Sequence, residues 1–509
     1  MAQLRQSWWQ LTLHAGLFIL SVAIVFSGDA VLPFVDLPNH LARSYVIHNI
    51  GKVSALSEAY RVQWQFAPYV VMETTLSLLQ NVMSVYAAGR VFISLCLASI
   101  VLGVIGINLA LRPVLSVTTL LVYPIFFSQV LVFGFLNFMM GTGIALLSYA
   151  WWLRSDGQRH RLAILFVLFN VNFFVHPISY AILVIIVALH NLFDMRPGSQ
   201  PLTRLVAATK IALLAVPQLP FWLFIPHDTL HNKVPFEFGN FLNRSMVVLS
   251  PFLFAQDQIN TLIVLLLLFA IGLTCWRFKL VTIDASHHKL LLVLALLCLL
   301  VPKQMLGVSI LQMRLPFVLA LLMIGVAGES NLRPVLRRAL TASVLSLALL
   351  QLVPAYLLLT GCSAQMEELR LALARYVTTP GTPLVSINDR PGGRCESLPL
   401  AYANASTLAV IESHSFAPFL FTIIPPVKAA ARFRDIELGV GKPPTAQQFF
   451  NPAWRAADPT FAAWQERFNY LVWLHFGKKD RTLPAGLRTV AEGSYFTIFE
   501  NPSFTLPPP

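Results

Sequence analysis

The chain has 509 residues and a formal net charge of +13, yet 56% of its residues are hydrophobic and only 12% charged. A soluble domain carries roughly twice that charged fraction, which excludes a string of soluble domains. In a soluble protein the positive charge would suggest nucleic acid. Here the basic residues sit in short loops between apolar segments, where they orient spans, and nucleic-acid binding is set aside.

Apolar stretches long enough to cross about 30 Å of hydrocarbon recur from Leu11 to Thr360. Arg5 precedes the first, Leu11–Phe26. The S-G-D-A-V that follows is a poor small-x-small cleavage site, so the segment reads as an uncleaved helix with its N-terminus inside. Further crossings are expected at Val91–Leu111, Val114–Leu131, Phe133–Leu153, Leu162–Phe174, Ile178–Phe193, Leu205–Ile225, Thr261–Trp276, Leu290–Leu306, Leu315–Val326 and Leu340–Thr360, which makes eleven. Around His176 and Pro177 the chain reads either as two crossings or as one long kinked helix. With two, four basic clusters fall on the side of Arg5: Arg154, Arg159 and Arg161; Arg196 and Arg204; Arg277, Lys279 and Lys289; Arg333, Arg337 and Arg338. With one, the last two clusters switch sides and violate the positive-inside rule. Two crossings and an outside C-terminus are therefore expected.

Two outside loops are long, at about 28–90 and 226–260. Within the first, Pro68–Tyr86 has apolar residues at helical spacing but carries Glu73, Gln80 and Asn81, which suits a helix lying in the interface. After Thr360 the character changes, and residues 362–509 hold twelve of the 23 carboxylates. T-P-L-V-S-I, T-L-A-V-I, N-Y-L-V-W-L and Y-F-T-I-F read as short buried strands of a small α/β domain. The expected architecture is thus an all-α polytopic membrane bundle over residues 1–361, then an extracytoplasmic α/β domain over 362–509. Cys96, Cys275 and Cys298 read as core residues, while Cys362 and Cys395 either form one disulfide or remain free thiols.

The eleven carboxylates of the first 360 residues all avoid the middle of a span. Ion-coupled carriers commonly place acids there, so this counts against one. Among the loop acids Asp36 stands apart. In V-L-P-F-V-D-L-P-N-H-L-A-R (Val31–Arg43) two prolines bracket it and stiffen the chain. Asp36 or Asn39 is placed to cap a helix that begins there. Asp36, His40 and Arg43 then share one helix face. A carboxylate beside two cations suits a general base next to a phosphate. The plainer alternative is a helix start with a local Asp36–Arg43 ion pair.

At this point the chain resembles the GT-C class of integral-membrane glycosyltransferases, in which a first helix leads to an outside loop with an acid near the membrane. D-L-P-N-H-L-A-R resembles the corresponding loop of a largely uncharacterised bacterial branch. G-F-L-N-F-M-M-G-T-G (Gly134–Gly143), and Pro302, Gly307 and Arg314 before a late span, resemble two further signatures. The resemblance covers roughly residues 10–360. It implies an inverting transfer of sugar from a polyprenyl-phosphate carrier to an envelope glycan, lipid or protein, at the outer face of a bacterial inner membrane. It implies Asp36 as base, and Arg314, His40, Arg43, His176 and Glu73 as phosphate or acceptor contacts. If a divalent metal such as Mg or Mn takes part, Asp36 with Asp29 or with a second-loop acid would hold it through hard oxygen ligands. The competing readings are a permease or flippase for lipid-linked sugars, with its cationic site in a central cavity, and an envelope scaffold protein.

Overall fold

The computed structural model describes residues 2–65, 68–193, 200–218, 220, 237–238, 247–254, 258–305, 308–330, 332–389, 395–398, 400–422, 424–439, 443–477 and 486–506. Most of the expected 226–260 loop, the end of the Leu205–Ile225 segment, Arg196 and Gly307 lie outside the described residues.

Helix α1 (Ala2–Ser27) leads into the first loop, which folds as α2 (Leu37–Asn49) and α3 (Val70–Leu79). There follow α4 (Val85–Leu111), a broken segment of short helices over 117–132, α5 (Leu136–Arg154), α6 (Arg161–Val175), α7 (Pro177–Leu192), α8 (Pro201–Leu214), α9 (Gln258–Arg277), α10 (Ala285–Leu300), α11 (Arg314–Val326) and α12 (Pro334–Tyr376). Their starts are chemically marked. Proline stands in the first turn of α7, α8 and α12, where no amide donor is needed. Ser84, His176 and Asp284 accept hydrogen bonds from the free N–H groups that begin α4, α7 and α10.

Among the described residues three helices are long and apolar enough to cross a membrane: Trp8–Ser27, Val85–Leu111 and Pro334–Tyr376. Shorter apolar helices of 10–17 residues, among them Arg161–Val175, Pro177–Leu192 and Ala285–Leu300, pack beside them. Helix α9 turns Leu262, Leu266, Phe269 and Leu273 outward, an apolar surface that hydrocarbon would solvate. Helices α4 and α5 approach closely because Gly143 has no side chain; a Cβ there would stand 2.6 Å from the Ser99 Cβ.

The turn at His176 is a hairpin. Gly141 and Tyr149 of α5 meet Ser179 and His190 of α7 in the same order, so α5 and α7 run parallel. Arg161 at the start of α6 reaches the Trp152 carbonyl near the end of α5, so α6 runs back along it. The chain therefore reverses at His176 rather than continuing through a kink. The basic loops accordingly gather at one end of the bundle. Tyr149 bonds both His190 and His287 there. Val281–Ile283 pairs with Ala327–Glu329, and Arg337 bonds Glu329, which also receives the Val117 N–H.

The opposite end carries the first loop and the C-terminal domain. The expected boundary at 361/362 falls inside α12, which continues unbroken to Tyr376. Beyond it lies a four-stranded sheet of β1 (Leu384–Asn388), β2 (Tyr470–Leu474), β3 (Arg488–Glu492) and β4 (Phe496–Glu500), in the order β1-β2-β4-β3. β1 and β2 are parallel and the other pairs antiparallel. Three of the expected strands are present, but T-L-A-V-I is helix α13 (Leu408–Glu412). A short apolar run does not by itself distinguish strand from helix, and the preceding turn at Ala405–Thr407 sets a helical start. Strand β3 was not foreseen; it is an edge strand with exposed residues, so it lacks an apolar run.

Cys362 at the middle of α12 is disulfide-bonded to Cys395, with Cα atoms 5.8 Å apart. The bridge closes a loop with a sequence separation of 33. Cys395→Ser is expected to cost the C-terminal domain about 2–4 kcal/mol. The measure is protease resistance of the C-terminal portion under non-reducing conditions; unchanged resistance would deny the bridge a stabilising role.

Candidate active site

The site is built where the first loop meets the turn before α5. Val35 N–H donates to the Val132 carbonyl at 2.9 Å and Asp36 N–H to the Phe133 carbonyl at 3.2 Å. Gly134 makes this approach feasible. Its φ is +75°, and a Cβ there would lie 2.8 Å from the Asp36 nitrogen. Gly141 does the same for the other side of the site, since a Cβ there would meet Ser179 Oγ and, at 3.1 Å, His176 Cβ. Gly134 and Gly141 of the G-F-L-N-F-M-M-G-T-G segment are thus seats for Asp36 and His176.

Asp36 stands at the N-cap of α2 with Pro38 in the first turn, but its side chain makes no capping hydrogen bond. The carboxylate instead accepts from Asn404 Nδ2 at 3.3 Å through Oδ1. Among the described residues Oδ2 has no hydrogen-bond partner. Burial pushes the carboxyl up to about 6, against the opposing pull of the nearby His40 and Arg314 charges. A carboxylate held near neutrality while one oxygen stays unengaged suits proton abstraction.

Arg314 begins α11 and is 7% exposed. Its Nη1 lies 2.8 Å from His176 Nε2, and its guanidinium lies 4.4 Å over the Phe135 ring and 5.4 Å from the Phe138 centroid. Its Nε is buried and has no hydrogen-bond partner among the described residues. His176 is meanwhile engaged through Nδ1, which faces the Ile178 N–H at 3.2 Å. A neutral imidazole accepts at only one ring nitrogen. One of the two donors facing it is therefore unmatched, and Arg314 keeps donor capacity for an added acceptor. Tyr69 closes the same space. Its ring meets His176 edge-on at 5.0 Å, and its backbone is left-handed at φ +72°. A tyrosine in that region is strained, and surrounding structure must hold it there.

His40, Glu73 and Arg43 form a second layer. Glu73 is 2% exposed and takes Arg43 Nε and His40 Nδ1, each at 3.1 Å, on Oε1. Burial raises its carboxyl, but Arg43 and His40 outweigh that and hold it below the ordinary value. It is a buried ion-pair centre rather than an exposed interfacial acid, and helix α3 is correspondingly packed on α2. Arg43 also donates to the carbonyls of Phe421, of Ile424 at 2.8 Å and of Pro425 at 2.9 Å. With four of its five donors engaged, Arg43 has little to offer a phosphate. Nor does it pair with Asp36, so neither expectation for it describes the fold.

Asp29 is exposed, and Arg90 donates to its backbone carbonyl. Around Asp36 stand Arg314, His40 and the Asn404 amide. No group of three His, Cys, Asp or Glu side chains able to hold a metal occurs among the described residues. Among the described residues this donor set does not supply the several oxygen ligands that a divalent ion wants; Asp228 and Asp257 of the second loop lie outside them.

Sequence reasoning missed Asn404 and Tyr69. The A-N-A-S-T run around Asn404 carries a helix-start signal, but nothing local aims its amide at Asp36. The φ of Tyr69 leaves no trace in residue type.

The fold is similar over nearly its whole length to the crystal structure of ArnT from Cupriavidus metallidurans in the apo state, with 12% identity, a TM-score of 0.53 and coverage of 99% of each chain. The crystal structure of the same protein bound to undecaprenyl phosphate matches with 12% identity, a TM-score of 0.55, and coverage of 97% of this chain and 98% of that one. At this identity the likeness speaks for the fold alone, and it supports the GT-C-like architecture. No family model matches the chain, and no curated protein matches it in sequence.

Proposed function

We propose that this protein is a GT-C-type inverting glycosyltransferase of a bacterial inner membrane. It moves a sugar from a polyprenyl-phosphate donor to an envelope glycan, lipid or protein at the outer face. The observation that carries this is one site that joins the half-buried Asp36, raised toward neutrality, to Arg314, a buried cation with unmatched donors. The chemistry is a single displacement. Asp36 takes the proton from an acceptor hydroxyl as that oxygen bonds to the anomeric carbon. The bond from that carbon to the phosphate oxygen breaks, and its electron pair leaves with the polyprenyl phosphate. Arg314 holds the phosphate, where a guanidinium forks two oxygens and stabilises the departing charge. One essential carboxylate is enough, in contrast to the two of most glycoside hydrolases. No step is routed through a metal.

The lipid class is supported by the likeness to a fold solved with undecaprenyl phosphate. The orientation we propose has eleven crossings, the N-terminus in the cytoplasm and the C-terminal domain outside. The basic loops at one end support it, as does the Cys362–Cys395 disulfide at the other, since such bonds persist in oxidising compartments. Loops at both ends keep their charged groups away from mid-span, as a transferase requires and a coupled carrier does not.

The test uses undecaprenyl phosphate as probe. Arg314→Gln in detergent-solubilised full-length protein is expected to weaken its binding about 10–100-fold, the worth of one charge-assisted contact. Unchanged binding would remove Arg314 from the donor site. Movement of the lipid between leaflets without sugar transfer in reconstituted vesicles would favour a permease instead.

A further inference from the structure

We infer that Asn404 of the C-terminal domain is a positioning residue for Asp36, and that this domain is therefore part of the reaction machinery rather than an appendage. The inference rests on reading Asp36 as the base.

Asn404 is 6% exposed. Its Nδ2 donates to the Val35 carbonyl at 2.9 Å and to Asp36 Oδ1 at 3.3 Å. One rigid amide thus grips the backbone before the carboxylate and the carboxylate itself. That fixes the side-chain rotation of Asp36 and leaves Oδ2 to meet a hydroxyl. Without this hold an aspartate at an N-cap would be drawn to the free N–H groups of its own helix, and Asp36 makes no such bond here.

The mount of Asn404 is firm. Its carbonyl accepts from Thr407 N–H at 3.0 Å and Thr407 Oγ1 at 2.7 Å, at the start of the turn leading into α13. The same face of α2 is gripped again at each following turn. Asn39 donates to the Phe419 carbonyl at 3.0 Å and accepts from Phe421 N–H at 2.8 Å. Arg43 holds the carbonyls of Ile424 and Pro425. Asp36, Asn39 and Arg43 stand three and four residues apart, so one helix face docks the whole domain. Only the first of these contacts touches a group that reacts.

A donor to the charged form favours that form, so loss of the Asn404 amide is expected to favour the protonated Asp36. The other groups that act on the Asp36 carboxyl, His40 and Arg314, are held by Glu73 and His176 and not by Asn404. The experiment is infrared difference spectroscopy of full-length protein in lipid, following the protonated-carboxyl band that Asp36→Asn removes. In Asn404→Ala this band is expected to titrate about one pH unit higher, a tenfold gain in proton affinity. The acid limb of transfer should move with it, and kcat should fall about tenfold or more while donor KM holds. Should Asn404→Ala fail to fold, Asn404→Ser carries the same test; it keeps a donor for the Val35 carbonyl with a shorter reach toward the carboxylate. An unmoved band together with unchanged kcat would overturn the positioning role. If Asp36→Asn itself retains full transfer, it is the base reading that falls, and the two failures are distinct.

Discussion

Asp36→Asn is expected to lower sugar transfer by about 10²–10⁴-fold, the usual worth of a positioned general base, without weakening the fold at neutral pH. The two halves of this result have one cause. Burial raises the Asp36 carboxyl from 3.8 to about 6. The folded protein therefore binds this proton more tightly than the unfolded chain does. Its contribution to stability is complete below the unfolded value and is lost as pH rises through about 6. At pH 7 the charged carboxylate is a cost to the fold, one that the proposed role as base explains. Asparagine removes the charge with little change of shape, so melting should occur no earlier than in the parent, and later if the burial cost is fully felt. The parent's transfer rate should in turn fall as pH drops through about 6. The variant's residual rate should lack that limb. A variant that is inactive because it is misfolded would instead melt early, and one that transfers at the parent rate would remove Asp36 from the mechanism.

Arg43→Met is expected to cost about 3–5 kcal/mol, the scale for removing one partner from a buried charged network. The residue is 1% exposed and joins Glu73 to three carbonyls of the C-terminal domain. Its loss leaves His40 as the remaining partner of the Glu73 carboxylate, whose Oε2 already lacks one, and leaves the carbonyls of Ile424 and Pro425 without the Arg43 donors they accept from. Arg43→Lys keeps the charge but loses the flat fork that reaches carbonyls and carboxylate together, so it should recover only part of the cost. The readout is thermal release of the C-terminal domain, followed by protease cutting within 362–509. If Arg43→Met melts like the parent, the clamp is not what docks the domain. Undecaprenyl phosphate binding should change far less in Arg43→Lys than in Arg314→Gln, which separates a docking arginine from a ligand-holding one.

These two arginines show what distinguishes the roles. Both are buried and both lie near an aspartate or glutamate. Arg43 has its donors matched by the protein, whereas Arg314 retains a buried Nε with no partner and shares its Nη1 contact with a histidine already engaged elsewhere. Buried polar groups are nearly always satisfied, so an unsatisfied guanidinium directs attention to a missing ligand in a way that a saturated one does not.

The sequence by itself determined the local and periodic features. Apolar runs mark the helices because crossing length and helical rise are fixed. The basic loops assign their ends, and the His176–Pro177 hairpin agrees with the charge rule used to choose it. The two prolines around Asp36, and the helix that starts there, follow from backbone chemistry within a few residues. Tertiary structure alone decided what those residues touch. Asn404 reaches Asp36 across a separation of 368 residues, and the carbonyl partners of Arg43 lie 378 to 382 residues away. Period and propensity act over one or two turns, so they carry no record of such pairings. The burial of Glu73 between Arg43 and His40 belongs to the same class, since no local pattern records it. Asp36 was legible as a residue set apart by its neighbours in the chain; the Asn404 amide against it, and the nearby Arg314 guanidinium with its unpartnered Nε, are brought there only by the folded arrangement.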